Sequence, residues 1–233
     1  MGMGSSPAVM FLLGHATGLS LPRTITCASS SLDKDAIKQS LAQLGAETMG
    51  GAAASKAQHA SALGLVVALE QSREPASWAE LAPLLQGEWD QVYTDNAEAG
   101  AMWSNGRFTC RKLKGPISGR VRQCISYEEL LLTRGAPPRF SYAQRARAPW
   151  ALGLMAEMRA SVHALDDSIT WKVSFDTFGW SLLGGLLPLG RPMALPAGAG
   201  CEWRMTYVDC DTRILRSQNN RGGPPTMYVL RKA

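Results

Sequence analysis

The chain contains 233 residues, of which 45% are hydrophobic and 18% are charged, and it carries a net charge of +5. This composition is typical of one folded domain with a substantial core, and it argues against a chain that is disordered throughout. None of the five cysteines forms a C-x-x-C pair, and the three histidines stand far apart in the sequence. A disulfide framework, a zinc ribbon and a histidine-based metal site are therefore not expected.

The first 30 residues differ in composition from the rest of the chain. They contain several serines and no acidic residue, and Arg23 is their one basic residue. Few acids and many serines are typical of a targeting segment. We therefore expect residues 1–30 to be a disordered leader, followed by a helical extension in residues 31–84.

Two amphipathic helices are predicted within this extension. The first spans residues 32–48, with Ser31 as its N-cap and apolar side chains at positions i, i+4 and i+7. The second spans residues 54–72, and Pro75 follows its end because proline cannot continue a helix. A pair of glycines separates the two helices.

Beyond Gly87 the hydrophobic period changes from helical to alternating. Just before this point, Ser77 and Glu80 have the spacing of a capping box, which predicts one short helical turn before Pro83. The alternation is clearest in residues 169–176, where apolar side chains occupy every second position. Nine strands are predicted in this way: residues 88–94, 117–127, 129–133, 139–147, 154–163, 169–176, 202–207, 213–217 and 226–231.

The predicted strands follow one another without helical segments between them, which indicates an antiparallel sheet. Each strand has one apolar and one polar face, so a sandwich and an up-and-down barrel both satisfy the pattern. A closed barrel also removes the exposed edges of the sheet, and a barrel of about eight strands can enclose one small ligand. The alternation by itself leaves the two architectures open.

Basic residues are concentrated in one window of the predicted sheet. Residues 107–147 carry ten basic side chains and two acidic ones. Such a surface favours an anionic partner, such as lipid headgroups, phosphates or an acidic protein. The alternative is an ordinary solvated surface, and the sequence leaves both open.

Two blocks of sequence carry a family resemblance. Residues 84–94, L-L-Q-G-E-W-D-Q-V-Y-T, contain a G-x-W pattern, and residues 203–216 read W-R-M-T-Y-V-D-C-D-T-R-I-L-R. These blocks resemble the opening and the ending of the domain of the plastid lipid-associated proteins, also called fibrillins. The residues that carry the resemblance are Gly87, Trp89, Tyr93, Asp209, Asp211, Arg213 and Arg216.

The resemblance implies a mainly β fold with N-terminal helices, in which residues 85–233 form an antiparallel lipocalin-like β-barrel. It implies a non-catalytic plastid protein that binds lipids or isoprenoids such as quinones at the surface of thylakoids or plastoglobules. No metal or cofactor is implied beyond such a bound molecule. The alternative is an accessory subunit that docks onto a photosynthetic complex, or a helper of a prenyl-diphosphate synthase. Thr212 and Ser217 depart from the family pattern, which leaves the subtype open.

Apolar residues on the alternating strands are candidates for the lining of a pocket, because ligand pockets are mostly apolar. A filled barrel core needs the same residue types, so that alternative stays open. In a lipocalin-type barrel, Trp89 is expected to pack at the closed end beneath Arg213 or Arg216. The candidate lining residues are Phe140, Tyr142, Met158, Val162, Trp171, Phe175, Met205 and Tyr207.

Residues 178–189 form a strongly apolar segment that glycines and a proline interrupt. We expect a loop here, rather than a helix or a central strand. At the rim of a barrel such a loop is suited to contact a membrane or a protein partner, and the alternative is a loop folded back onto the core. The contact candidates are Phe178, Trp180, Leu182, Leu183, Leu186, Leu187 and Arg191.

Other functions find little support in the sequence. We expect Asp209 and Asp211 to cap a hairpin turn or to pair with Arg213, because a metal would need further oxygen ligands. No G-x-S-x-G, P-loop or dinucleotide fingerprint is present, so an enzyme is not expected. Nucleic acid is not expected as a partner, because the aromatic residues fall on the apolar faces of the strands and not among the arginines.

Overall fold

The computed structural model describes residues 32–51, 53–74, 76–95, 121–127, 139–148, 154–165, 169–219 and 225–233. The predicted leader, residues 1–30, and the predicted strand at residues 129–133 lie outside these ranges. Within them, three helices precede a sheet of eight long and two short strands.

The first two helices confirm the two amphipathic helices that the sequence predicted. They are α1 (Leu32–Glu47) and α2 (Lys56–Gln71). α2 begins at a capping box, in which the Ser55 hydroxyl accepts a hydrogen bond from the backbone N–H of Gln58 and the Gln58 side chain accepts one from the backbone N–H of Ser55. This arrangement satisfies N–H groups that have no partner within the helix.

The third helix, α3 (Trp78–Leu85), is longer than the predicted short turn. The Glu80 carboxylate accepts a hydrogen bond of 2.8 Å from the backbone N–H of Ser77, as the capping-box spacing predicted. The prediction that Pro83 ends the turn was wrong, because Pro83 lies inside the helix. The hydrogen bond that proline cannot make would reach the carbonyl of Ala79, which is an exposed residue that water can satisfy.

Eight long strands close into an antiparallel barrel. They are β1 (Gly87–Thr94), β2 (Val121–Tyr127), β3 (Arg139–Ala148), β4 (Leu154–Ala164), β5 (Thr170–Leu182), β8 (Gly200–Val208), β9 (Thr212–Asn219) and β10 (Thr226–Lys232), and the short strands between β5 and β8 are β6 (Leu187–Pro188) and β7 (Met193–Ala194). The order around the barrel is β4-β3-β2-β1-β10-β9-β8-β5, and pairing of β4 with β5 closes it. The predicted mainly β fold with N-terminal helices and a lipocalin-like antiparallel barrel is confirmed.

Helices α1 and α2 cover the outer face of β1, β10, β9 and β8. Gly45 lets α1 approach β1 closely, because a Cβ at this position would lie 2.2 Å from the carbonyl oxygen of Val92. Arg216 on β9 forms two hydrogen bonds of 3.0 Å with the Glu70 carboxylate on α2, so it lies outside the barrel. The apolar side chains buried between helices and sheet, the outer cluster, are Leu41, Ala62, Val66, Leu69, Tyr93, Tyr207, Ile214, Met227 and Val229.

The interior of the barrel is a separate apolar cluster, and α3 closes one end of it. Leu81, Ala82 and Leu85 of α3 pack against side chains that point inward from the strands. This closed end contains the beginning of β1 and the end of β10. The opposite end, where β5 ends and β8 begins, is termed the rim below.

Strand β5 extends further toward the rim than its neighbour β8. β8 pairs with residues 170–174 at the beginning of β5, and the rest of that edge pairs with the short strands β6 and β7. The prediction of a loop over residues 178–189 was therefore wrong for Phe178, Trp180 and Leu182, which belong to β5. They continue the strand because β4 pairs with it as far as Ser181.

Candidate functional site

The closed end of the barrel has a floor built around Trp89. This side chain is fully buried, and its Nε1 donates a hydrogen bond of 2.8 Å to the carbonyl oxygen of Leu85 at the end of α3. The Cζ atom of Arg213 lies 5.0 Å from the centre of the Trp89 ring, within the range of a cation–π contact. Trp89 thus lies at the closed end against Arg213, which is one of the two arginines predicted to pack on it.

A second cation lies over the same ring and joins the floor to the helix. Lys232 Nζ is 4.8 Å from the centre of the Trp89 ring and donates hydrogen bonds of 2.8 and 2.6 Å to two carbonyl oxygens near the end of α3. Gly87 begins β1 beside it, at φ +116°, where a Cβ would lie 3.3 Å from the Lys232 side chain. The positive φ and this close approach explain the glycine of the G-x-W pattern.

Arg213 crosses the interior of the barrel above Trp89. It is fully buried on β9, and its Nη2 donates a hydrogen bond to the side-chain oxygen of Gln123 on β2. Desolvation disfavours the charged guanidinium and lowers the pKa of Arg213 to about 9, so the group stays protonated at neutral pH. In the described part of the chain, Nε and Nη1 of Arg213 have no hydrogen-bond partner.

Aromatic side chains fill the interior beside this floor. Phe140 stacks on Trp171 with ring centres 4.7 Å apart, and Tyr142 meets Trp203 edge-on at 4.9 Å. The structure places five of the eight candidate lining residues in this packed cluster, which matches the filled core that the sequence left as an alternative. These five are Phe140, Tyr142, Val162, Trp171 and Met205.

A second group of apolar side chains, the upper layer, lies nearer the rim. Met158 on β4 and Phe178 on β5 are buried cross-strand partners, and Trp180 meets Phe178 edge-on at 5.2 Å. Phe175 packs against both the upper layer and the aromatic cluster, so it connects the two. The candidate lining residues Met158 and Phe175 belong here. The members of the upper layer are Ala156, Met158, Phe175, Phe178, Trp180 and Leu195.

Tyr207 does not line the interior, although its alternation with Met205 predicted this. Met205 pairs with Leu215 and Tyr207 pairs with Ile214, so Thr206 is an extra residue in β8. Such a bulge inverts the alternation of side chains. Tyr207 therefore packs beneath the helices in the outer cluster, and its assignment as a lining residue was wrong.

A bulge in β1 turns Tyr93 outward in the same way. Gln91 pairs with Leu230 of the interior, whereas Tyr93 pairs with Val229 of the outer cluster. The Tyr93 hydroxyl lies 2.6 Å from Nδ1 of His59 on α2, and burial raises the pKa of this tyrosine to about 12. The conspicuous tyrosine of the family-like opening block thus attaches α2 to the barrel.

An exposed apolar surface, the rim patch, follows β5. Of the predicted contact residues, Leu183, Leu186, Leu187 and Arg191 are exposed, Phe178 is buried, and Trp180 and Leu182 are partly buried. Leu186 is the most exposed of these large apolar side chains, at 84%. The list of predicted contacts missed Leu189 and Met193, which continue the surface. The rim patch comprises Leu183, Leu186, Leu187, Leu189 and Met193.

Asp209 and Asp211 cap the turn between β8 and β9. One oxygen of Asp209 accepts hydrogen bonds from the backbone N–H groups of Asp211 and Thr212, as predicted. Their ionic partner is Lys38 of α1 and not Arg213, because Arg213 points into the barrel and the turn lies outside it. The two carboxylates could also approach a metal ion together, but the Lys38 ammonium already supplies a positive charge between them.

The described arginines of the basic window pair with acids on neighbouring strands. Arg122 lies 2.7 Å from both Asp90 and Glu88, and Arg145 lies 2.7 Å from Glu157. Hydrogen bonds to Asp90 raise the pKa of Arg122, despite an opposing effect of burial. Arg122 and Arg145 therefore belong to an ordinary solvated surface, which was the alternative to a surface that binds an anionic partner. The other basic residues of the window lie outside the residues whose side chains are described.

Two glutamines complete the floor, and neither was among the residues predicted to line the interior. Gln123 is buried on β2 between Val121 and Ile125, at a position that points inward. Gln91 on β1 pairs with the interior residue Leu230, and its Oε1 atom is buried without a hydrogen-bond partner among the described residues. The available signal was a polar residue at an otherwise apolar position of the alternation.

The buried hydroxyl and thiol groups of the interior remain protonated at neutral pH. Burial raises the pKa of Tyr142 well above its ordinary value, and it raises the pKa of the Cys201 thiol to about 11. A thiol becomes a good nucleophile when its pKa is lowered, so this environment has the opposite effect. The interior is therefore suited to hold a ligand by apolar contacts and hydrogen bonds, and these groups are not set up for nucleophilic attack.

Two further findings concern the chain as a whole. In the ranges that the structure describes, none of the helices is long and apolar enough to cross a membrane. The chain matches no protein-family model and no curated protein sequence.

Proposed function

We propose that this protein is a non-catalytic lipid-binding protein that takes up lipids or isoprenoids, such as quinones, at a membrane surface. The observation that carries the proposal is a series of apolar side chains along β5. Val173 and Phe175 lie in the interior, and Phe178 and Trp180 lie in the upper layer. The rim patch follows directly, so an apolar molecule moving along this wall would stay out of water.

The rim patch supports contact with a lipid surface. Its five large apolar side chains lie within eleven residues of the chain, at one end of the barrel, and each is at least half exposed. Full burial of a leucine side chain contributes about 1.5–3 kcal/mol, so several of them suffice for reversible attachment. Arg191 lies between β6 and β7 in the same segment and is suited to the headgroup level of an anionic membrane.

The upper layer is suited to receive the apolar part of the ligand. Met158 has an unbranched, adaptable side chain, and Phe178 and Trp180 offer flat apolar surfaces. The aromatic cluster below it is tightly packed and limits how deeply a bulky group can enter. The proposed mechanism is therefore partition: the rim patch attaches to the membrane and the upper layer takes the lipid.

The proposed location is the plastid, at the thylakoid surface or on plastoglobules. This part of the proposal rests on the composition of residues 1–30 and on the resemblance of the opening and ending blocks to the plastid lipid-associated proteins. It is tested separately, by the position in a plant cell of the full chain fused at its C-terminus to a fluorescent protein.

A second candidate function is docking onto a protein, either a photosynthetic complex or a prenyl-diphosphate synthase. The packed aromatic cluster favours this candidate, because a filled interior is a rigid scaffold with little room for a ligand. In that case the rim patch would bind an apolar surface of the partner. The two candidates differ in whether a lipid accompanies the protein.

The first experiment is native mass spectrometry of the full chain, purified after exposure to plastid lipids and isoprenoid quinones, with lipid extraction from the same sample. We expect one apolar molecule per chain, together with binding to vesicles of plastid lipids. A protein that carries no lipid and binds neither the quinones nor the vesicles would contradict the lipid-binding proposal. Capture of a prenyl synthase or a photosynthetic complex by that lipid-free protein would then support docking.

A further inference from the structure

The floor of the barrel contains buried polar atoms whose hydrogen-bonding capacity is unused. Arg213 is fully buried, and of its three nitrogens Nη2 donates to Gln123, whereas Nε and Nη1 have no partner among the described residues. The indole nitrogen of Trp171 and the side-chain oxygen of Gln91 are likewise buried without a partner in the described ranges. The interior of the barrel thus contains three donor atoms and one acceptor atom that have no hydrogen-bond partner among the described residues.

The strand register places two of these groups at the same height. Gln91 on β1 pairs with Leu230 on β10, and Leu230 pairs with Arg213 on β9. All three residues therefore lie in one row across adjacent strands, with Gln91 and Arg213 about 10 Å apart at their Cα atoms. The Arg213 side chain extends from this row to Gln123 on β2, which pairs with Trp89, two residues before Gln91 on β1.

A buried cation in this position lacks an opposite charge. Among the described residues no carboxylate forms a salt bridge with Arg213, and the guanidinium instead lies over the Trp89 ring. A cation–π contact replaces only part of the hydration that burial removes. Buried polar groups in folded proteins are normally paired, and unpaired ones are found where a ligand or an ordered water binds.

We propose that Arg213 and Gln91 bind the carboxylate head group of an amphiphilic ligand, whose single unbranched chain extends along β5, past the aromatic cluster and through the upper layer, to the rim patch. This inference deepens the proposed function and rests on it, since it assigns an acidic, long-chain class of lipid to the same barrel. An ionised carboxylate only accepts hydrogen bonds, which matches the unused N–H groups of Arg213. The Gln91 amide carries a donor and an acceptor on one carbon, and rotation presents its N–H₂ to the same head group.

The wild-type protein tests this with three probes. Binding of hexadecanoic acid, its methyl ester and sodium acetate to the delipidated full chain is measured by calorimetry and by quenching of tryptophan fluorescence. Because hydrogen bonds to a charged group are the strong ones, we expect the acid to bind about 10- to 100-fold more tightly than the ester. Acetate, which lacks the chain, is expected to bind weakly or not at all.

Each other result contradicts a defined part of the inference. Equal affinity for acid and ester would overturn the head-group site and leave lipid binding in the barrel intact. Acetate that binds as tightly as the acid would show a site for a small anion and overturn the amphiphile. Failure of all three probes, together with the absence of co-purifying lipid, would overturn the head-group site and the proposed function together.

A matched pair of variants locates the effect. Arg213→Gln is expected to remove the preference for the acid and to keep the affinity for the ester. Arg216→Gln is the control, because Arg216 lies on the same strand but points outward to Glu70; its preference for the acid should remain. Gln91→Leu removes one proposed contact and leaves Arg213, Lys232 and Trp89 in place in the sequence, and we expect about fivefold weaker binding of the acid. If Arg213→Gln does not fold, the result for Gln91→Leu and the wild-type probes still decide the question.

Discussion

The ammonium group of Lys38 on α1 lies 2.6 Å from a carboxylate oxygen of Asp209, in the turn between β8 and β9. The same group lies 2.8 Å from Asp211, and the Tyr207 hydroxyl donates a hydrogen bond of 2.6 Å to Asp209. One lysine thus joins the first helix to both carboxylates of the D-x-D sequence. The two aspartates thus attach the N-terminal helices to the barrel, in addition to their place in the turn.

Replacement of Lys38 by methionine is expected to destabilise the fold by about 1 kcal/mol. The Lys38 side chain is only 10% exposed, but solvent reaches Asp211, which is 45% exposed and limits the contribution of the pair. The measurement is urea unfolding, in which the midpoint falls and the slope stays unchanged. Lys56→Met is the control, because Lys56 is exposed on α2, and a similar loss of stability in both variants would contradict the attachment.

The same contact predicts a dependence on acid. Burial raises the pKa of Asp211, but hydrogen bonds, including one from Lys38, outweigh this and lower the pKa below the usual 3.8. Because the pKa is lowered in the folded state, the stabilisation is present above about pH 4 and is lost as the pH falls through the folded-state pKa. The difference in unfolding free energy between wild type and Lys38→Met should therefore shrink below about pH 4.

On the alkaline side the same difference should persist. Burial opposes the charge of Lys38, but its hydrogen bonds to Asp209 and Asp211 outweigh burial and raise its pKa above the usual 10.5. A raised pKa means that the stabilisation is lost only as the pH rises through that higher value. A free-energy difference that changes between about pH 5 and 9 would contradict the assignment of the two partners.

Two helical glycines are expected to respond in opposite directions to alanine. A Cβ on Gly45 would lie 2.2 Å from the Val92 carbonyl oxygen, so Gly45→Ala should push α1 from β1 and cost about 1–3 kcal/mol. A Cβ on Gly64 of α2 meets nothing within 4 Å, so Gly64→Ala should stabilise by about 0.5–1 kcal/mol. Thermal unfolding of both variants measures this, and equal melting temperatures would show that α1 does not contact β1 closely.

The rim patch makes a prediction about membrane binding. Leu186 is 84% exposed, so Leu186→Ser should leave the stability of the fold unchanged. If Leu186 enters the lipid surface, loss of its burial should weaken vesicle binding about tenfold. Co-sedimentation with vesicles of plastid lipids measures the affinity.

Leu63→Ser provides a matched control for the rim patch. Leu63 is an exposed leucine, at 45%, but it lies on α2 and is not part of the rim patch. Its replacement should leave vesicle binding unchanged. A comparable loss in both variants would show that general surface hydrophobicity, rather than the rim, determines the affinity.

Most secondary structure was predictable, because helices and strands differ in the spacing of apolar residues. The helical period predicted α1 and α2 within a few residues, and the alternation predicted the eight long strands, although it ended β5 at residue 176 and missed the short strands β6 and β7. The position of Trp89 at the closed end followed from the G-x-W pattern. The site was less predictable, since Gln91 and Gln123 are individually ordinary residues whose importance depends on what faces them.

The sequence by itself determined the two classes of element, their order and an apolar face for each strand, because these depend on neighbouring residues along the chain. Only the tertiary structure decided which face points inward beyond each bulge. The extra residue Thr206 turns Tyr207 outward, and the extra residue Asp176 keeps Phe178 inside. A bulge depends on the register with the partner strand, which the spacing of residues within one strand does not reveal. Lys38 and Asp211 are 173 residues apart in the sequence, so their contact could not be predicted from either segment alone.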